Sequence, residues 1–405
     1  MIDPVTEVVP PLGLARYRAL FQVPHVRRLV LSGLLARLPM GMIGLALLLL
    51  VRESGGSYSA AGAVSGGYFI ATAIGAPIAG RLVDRRGQAR ILLRRAVIFP
   101  AFLAGVCALA LVDAPLALIG AGGAAAGAFM PPVGSSLRAL WPRLFSDAEL
   151  RAAAYAIEAS LQEVTFIAGP LFVALLTWAA SPVLALGFAA AAGGIGTFLI
   201  ARAEPVLAWR PEEESAAASI LGALQSRGVV TIVSLSACLG LGFGGTEVGF
   251  PAFAEGHGGA KLGSIPLSLF AAGSLVGGLV VGARVTAPPL QLLRLSTVVL
   301  AGGLALPLLG WSLPSMAVLA FVAGLPIAPV VMSAYGLVDA VATRGTAAEA
   351  FAWITTAVFA GFSVGMALGG TLIDALGVKA SFGLGAGAVA LGALLVALGP
   401  GLEEA

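Results

Sequence analysis

Residues 80–90 read Gly80-Arg81-Leu82-Val83-Asp84-Arg85-Arg86-Gly87-Gln88-Ala89-Arg90. Arg81, Arg85, Arg86 and Arg90 surround the one carboxylate of the segment, Asp84, which can bridge them through charge-assisted hydrogen bonds. Gly87 suits a tight turn that a side chain would hinder. Gly80 suits close packing of the helix that ends there. On either side the chain is apolar for about 20 residues, the length a helix needs to cross a bilayer. The segment reads as a charged turn between two membrane spans.

The same alternation runs through the whole chain. Apolar runs separated by charge, Pro and Gly clusters predict helices over 29–51, 60–80, 92–112, 115–137, 152–178, 182–201, 229–251, 263–283, 293–312, 315–337, 347–372 and 380–400. About 22 residues at a rise of 1.5 Å span the hydrocarbon core with some tilt. Of the 405 residues, 59% are hydrophobic and 11% charged. A soluble chain averages about 25% charged, so several soluble cores could not be coated. Soluble enzymes, disordered chains and nucleic-acid-binding proteins are excluded, which leaves an all-α polytopic membrane protein. The N-terminal residues carry Asp3, Pro4, Glu7, Pro10 and Pro11 instead of a basic start and apolar core, so the first span is expected to be a permanent helix. Cys107 and Cys238 lie inside apolar runs and behave there as small hydrophobes.

Charge sets the expected orientation. With the N-terminus inside, 19 of the 23 Lys and Arg residues fall in inner segments. Only Arg52, Lys261 and Lys379 fall in outer ones, and Arg37 lies within the membrane. An even number of spans with both termini cytoplasmic follows. The longest connection, Ala203 to Gly228, holds Glu212, Glu213 and Glu214 and divides the spans six and six. The expected organisation is a tail over 1–28, a six-helix bundle over 29–202, a central loop over 203–228, a second bundle over 229–400 and a tail over 401–405. An offset of 196 residues lays Ala154-Tyr155-Ala156 on Ala350-Phe351-Ala352 and Gly169 on Gly365. Two pseudo-symmetric bundles around a central cavity are how many transporters are built.

The 80–90 segment resembles the signature loop of the major facilitator superfamily, G-x-L-x-D-r-x-G-r-r. Gly80, Leu82, Asp84, Arg85, Gly87 and Arg90 match it; Gln88 and Ala89 depart. The segment also lies where that family places it, after the second of twelve spans. The resemblance implies the twelve-helix fold and alternating-access transport. It further implies that Asp84 latches the bundles on the cytoplasmic side by facing the start of span eleven, where a helix N-terminus favours an anion. The equivalent loop of the second half, Gly282-Ala283-Arg284-Val285-Thr286, has lost the acid. In span five, Gly169-Pro170 resembles the core of the family's exporter motif, while Leu161, Thr165 and Phe172-Val173 stand where its other glycines would be. Proline removes a helical hydrogen bond, so the pair reads as a hinge or as a plain kink. Gly361, Gly365 and Gly369, Gly273 and Gly277, and Gly278 and Gly282 are spaced by four and give small faces suited to helix packing within one monomer, with dimerisation as the alternative.

Intramembrane charge marks an ion or substrate path by default. Arg37, Glu158, Glu163 and Glu247, with Gln162 beside them, form the candidate cavity. Arg37 and Glu163 lie at similar depth, which suggests a switchable pair with Glu163 as the proton-coupling carboxylate. Glu158 and Glu247 are expected to recognise cations. Proton-coupled drug exporters of the superfamily usually carry an arginine inside span four, but Gly120 to Phe129 has none; Arg37 is the substitute available from span one. Other patterns carry no chemistry here. There is no phosphate-binding G-x-x-x-x-G-K-[ST]. Gly240 to Gly245 fits G-x-G-x-x-G and Gly361 to Gly365 fits G-x-S-x-G, but both lie inside spans. No metal or cofactor site is expected. Trp141, Trp178 and Trp311 read as interfacial anchors. The expected function is secondary transport, not catalysis, in the cell membrane. It is first read as proton-driven export of small, fairly apolar molecules by a monomer, with metabolite uptake, lipid translocation or a receptor role as alternatives.

Overall fold

A computed structural model describes residues 14–209, 222–284, 288–343, 346–399 and 401–402. A chain crossing a bilayer must satisfy its backbone polar groups internally, and long apolar segments do so as helices. The helices are α1 (Leu14–Gln22), α2 (Val26–Glu53), α3 (Tyr58–Arg86), α4 (Gln88–Leu111), α5 (Leu116–Ala128), α6 (Val133–Leu144), α7 (Ala148–Ala179), α8 (Pro182–Ala201) and α9 (Glu204–Ala208) in the first half. The second half holds α10 (Arg227–Glu255), α11 (Ser264–Arg284), α12 (Pro289–Ala305), α13 (Leu313–Gly324), α14 (Ile327–Val341), α15 (Ala347–Leu376) and α16 (Val378–Leu398). Among the described residues there is no strand, and twelve segments are long and apolar enough to span a membrane. Arg210, Glu212, Glu213, Glu214, Thr286 and Arg344 lie outside the described residues.

The internal repeat is visible in the packing. Helix α2 packs on α7 and α8 as α10 packs on α15 and α16; α3 packs on α5 as α11 packs on α13. Glycines let backbones meet at the crossings. A Cβ at Gly41 of α2 would stand 2.4 Å from the Thr165 carbonyl oxygen of α7. One at Gly365 of α15 would stand 2.2 Å from the Leu241 oxygen of α10. The glycine faces thus pack helices inside the chain.

Spans four and ten, expected as single helices, are each broken. Helix α5 ends at Ala128 and α6 starts at Val133, across Met130-Pro131-Pro132. Helix α13 ends at Gly324 and α14 starts at Ile327, across Leu325-Pro326. Proline lacks the N–H that would continue the ladder and pushes its predecessor out of the helical region. The freed carbonyls in span four are met from α4, where Arg95 Nη1 donates to Ala128 O (3.2 Å) and Met130 O (2.7 Å).

At the signature loop, Gly87 has φ +86°, and its N–H donates to Val83 O at 2.8 Å, closing α3. The expected tight turn is present. The close packing expected at Gly80 is not: no neighbouring atom lies within 4 Å of where its Cβ would be. Gln88, which departs from the signature, is fully buried and donates to Ser136 O of α6 at 3.1 Å. The Asp84 side chain lies outside the described residues.

Candidate functional site between the bundles

The bundles meet along α3 with α15 and α7 with α11. Call the end that carries most arginines the basic end. Bonds joining the bundles cluster at the opposite, far end. There Arg52 Nη2 donates to both carboxylate oxygens of Glu255 (2.7 and 2.9 Å), and the Tyr58 hydroxyl donates to Glu255 Oε2 at 2.5 Å. The Arg52 guanidinium lies 4.2 Å from the centre of the Tyr58 ring. Asp374, at the end of α15, accepts from the backbone N–H groups of Tyr58 (3.1 Å) and Ser59 (2.7 Å). These are orphan donors of the first turn of α3, and a carboxylate there also meets the positive end of the helix dipole. One turn further in, Gly62 of α3 approaches Met366 of α15, where a Cβ would stand 2.2 Å from the Met366 oxygen. The Ser363 hydroxyl donates to Gly66 O at 2.7 Å. These contacts hold the bundles together at the far end.

Arg37 and Glu158 are brought together as a buried pair. Arg37 Nη2 donates to Glu158 Oε1 at 2.8 Å, and the residues are 6% and 7% exposed. Trp141 Nε1 donates to Glu158 Oε2 at 3.0 Å, and Arg138 Nε lies 3.7 Å from Oε1. One carboxylate therefore ties α2, α6 and α7 together. Gly134 leaves the room, since a Cβ there would stand 3.2 Å from Arg138 Nη2 and 3.6 Å from Arg37 Nη2. Two expectations are corrected. Arg37 does not pair with Glu163, and Trp141 is a buried donor, not an interfacial anchor. Trp178 and Trp311 are exposed.

Helix geometry explains the exchange of partners. Side chains lean toward the helix N-terminus, so a long arginine reaches below its own level. At 100° per residue, Glu158 lies within about 20° of the face that carries Thr165 and Gly169. That is the face that meets Gly41 on α2. Glu163 is turned about 140° from Glu158. It is half-buried, with the Ser274 hydroxyl of α11 as its hydrogen-bonding neighbour across the bundle interface. Gln162 is exposed. Gly169 is the crossing point with Gly41, and Pro170 lies within the unbroken α7.

Glu247 stands apart. It lies on α10 between the bundles, half-buried, with no hydrogen bond or ion pair to a described residue. Its neighbour across the interface is Gly44 of α2, where a Cβ would stand 3.6 Å from Glu247 Oε1 and 2.9 Å from the Phe69 ring. Phe69 packs across the interface on Phe362 (ring centroids 4.5 Å) and Phe359 (6.2 Å). The far-end cluster went unread in the sequence because Arg52, Glu255 and Asp374 sit at helix ends, where charge is ordinary. Among the described residues no group of three or more His, Cys, Asp or Glu could hold a metal ion.

Twelve membrane-length helices in two bundles, bonded together at one end and carrying buried charge, have the architecture of a membrane transporter. The chain belongs to the Major Facilitator Superfamily, whose family model matches residues 29–346. Among solved structures, a variant of the nucleoside transporter NupG has a TM-score of 0.75 at 14% identity, covering 92% of this chain and 98% of that one. A bacterial homolog of the human lysosomal transporter Spinster, in an inward-facing and occupied conformation, has a TM-score of 0.69 at 15% identity over 95% and 96% of the two chains. The peptide transporter POT has a TM-score of 0.67 at 16% identity, covering 95% of each. No curated protein matches the sequence.

Proposed function

We propose that the protein sits in the cell membrane with its basic end and both termini cytoplasmic, and exports small, fairly apolar molecules in exchange for protons. The observation that carries the coupling is the sorting of the buried carboxylates. Glu158 is held by Arg37, Trp141 and Arg138, whereas Glu163 faces Ser274 where the bundles touch. A carboxylate without a cation, at an interface that must open and close, can take up a proton on one side and lose it on the other. Gly169-Pro170, with its likeness to the core of the family's exporter motif, and the scarcity of charge in the spans favour export of apolar cargo. The fold neighbours are named for a nucleoside transporter, a peptide transporter and a Spinster homolog, so the fold itself selects no cargo.

The test is a substrate panel in proteoliposomes under an imposed pH gradient. Cargo should move opposite to the protons, and its addition should release protons from the protein. Glu163→Gln should abolish gradient-driven movement while preserving exchange of cargo at equal pH. Cargo moving with the protons, or full gradient-driven transport by Glu163→Gln, would overturn this reading.

A further inference from the structure

We propose that a groove on the outer wall of the second bundle, between the start of α10 and the end of α16, binds one anionic glycerophospholipid, with its phosphate on Arg227 and an acyl chain along Val230, Leu395 and Leu398. The inference needs only that these helices cross a membrane. It rests on no reading of the cargo or of the direction of transport.

The sequence spacing builds the groove. Arg227, Val230 and Ser234 are three and four residues apart and share one stripe of α10. At 100° per residue, that stripe lies between two packed faces. One meets α15 through Gly240 and Gly244, and the other meets α16 through Thr231 and Gly242. On α16, Leu391, Leu395 and Leu398 form the matching stripe, and Leu391 and Leu398 are exposed. The space between the stripes has a volume of about 390 Å³. Helix α16 packs on α10, α12 and α15, all of the second bundle, so the groove opens to the bilayer and not to the first bundle.

The walls are held in place. The short helical turn over Ala223–Gln225 borders the groove above α10. Its Ala223 N–H donates to Glu349 Oε2 in the first turn of α15 at 3.2 Å. The next residue, Ser226, donates through its hydroxyl to Val341 O at the end of α14 at 2.5 Å. The groove is therefore a formed feature, and a ligand need not order its walls on binding.

Polarity names the occupant. Deep in the groove, Val230, Leu395 and Leu398 offer water no partner, and an unfilled gap forfeits dispersion contacts. An acyl chain fills it. At the rim, the Arg227 guanidinium and the Gln225 amide are exposed and make no hydrogen bond or ion pair among the described residues. Arg227 opens α10, so the positive end of the helix dipole adds to its charge. A guanidinium grips two phosphate oxygens at once. No carboxylate lines the groove, so the ammonium of a zwitterionic head would meet a cation and no counter-charge. A head with net negative charge suits the rim. Exposed arginines are common at the basic end; Arg227 differs in standing at the mouth of an apolar groove.

The experiment uses the full chain in nanodiscs, carrying Cys107→Ser, Cys238→Ser and Leu391→Cys, with bimane on the new thiol. Brominated acyl chains quench the label on contact. Brominated phosphatidylglycerol is titrated against plain phosphatidylcholine, and then the bromine is placed on the other lipid. The groove should prefer phosphatidylglycerol by about fivefold, the worth of one arginine beside an anionic lipid. Arg227→Gln should bring the preference to about one, while Arg94→Gln, an exposed arginine of α4, should leave it unchanged. Val230→Trp, which fills the groove and keeps the arginine, should reduce quenching by both lipids. Thermal unfolding of each variant guards against misfolding. Equal quenching by the two lipids in the parent chain, or an unchanged preference in Arg227→Gln, overturns the proposal. Quenching unmoved by Val230→Trp would put the lipid outside the groove and overturn it too. So would relief of quenching by inorganic phosphate, which would show a site for a free anion.

Discussion

At the scale of single residues, the intramembrane carboxylates divide into one that is tied down by cations, Glu158, and two that are not, Glu163 and Glu247. Breaking a buried pair from one side costs about 3–5 kcal/mol, because the survivor is left uncompensated, whereas replacing both partners by apolar side chains is often nearly neutral. Glu158→Ala should therefore destabilise the protein by about that amount, since Arg37 stays 6% exposed with no acceptor. Arg37→Met with Glu158→Met should recover most of the loss, short of about 1–3 kcal/mol for the stranded Trp141 indole N–H. Denaturation in detergent micelles measures both; a single variant as stable as wild type would show that the pair is not closed off from water. That such a cluster exists was legible from the cost of placing Arg37 and Glu158 in an apolar span. Who pairs with whom was not. Counting residues gives depth, and by depth Arg37 matches Glu163. The partner is chosen by which face of α7 meets α2, and that depends on the Gly41–Gly169 crossing, a tertiary contact.

At the scale of helices, the apolar runs marked all twelve spans, but not the breaks in two of them. Met130-Pro131-Pro132 and Leu325-Pro326 were in plain view, and the 196-residue offset lays Met130 on Pro326. An interruption at matching places of two halves is a pointer to the working centre of a transporter. It was masked by Ala- and Gly-rich flanks whose hydropathy carries straight across. The half-helix below the first break, α6, is the one that delivers Arg138 and Trp141 to Glu158. Helix ends also make the far-end closure, through Asp374 on the first turn of α3. Losing a side-chain cap costs about 0.5–2 kcal/mol, and here it is lost only in the state closed at that end. As 1.4 kcal/mol is about tenfold in an equilibrium, Asp374→Ala should raise the far-end-open population several-fold. Spin labels at Glu53 and Lys379, both exposed beside the far end, should show a longer-distance population growing by that factor. An unchanged distance distribution would mean that Asp374 merely decorates the contact.

At the scale of the whole molecule, α3 and α15 are one lever with two ends. At the far end, the acid near the C-terminus of α15, Asp374, accepts from the N-terminus of α3. At the basic end, the acid near the C-terminus of α3 is Asp84, and the N-terminus of α15 begins at Ala347. If Asp84 meets that N-terminus when the basic end closes, as the resemblance of the signature loop implies, each helix caps the other, one end per state. The physics is the same at both ends: a carboxylate on unsatisfied N–H groups at the positive end of a helix dipole. The two latches then pull the equilibrium in opposite directions. Asp84→Asn should deplete the state closed at the basic end, slow transport, and leave the thermal stability of the state seen here unchanged. Asp374→Ala should shift the same equilibrium the other way, and the double variant should return it to within about a factor of two of wild type if the costs are alike and add, as they do for distant sites. The same pair of spin labels reads all three populations. Shifts of the same sign in the two single variants, or wild-type transport by Asp84→Asn, would break the lever and leave two unrelated contacts at the ends of a helix pair.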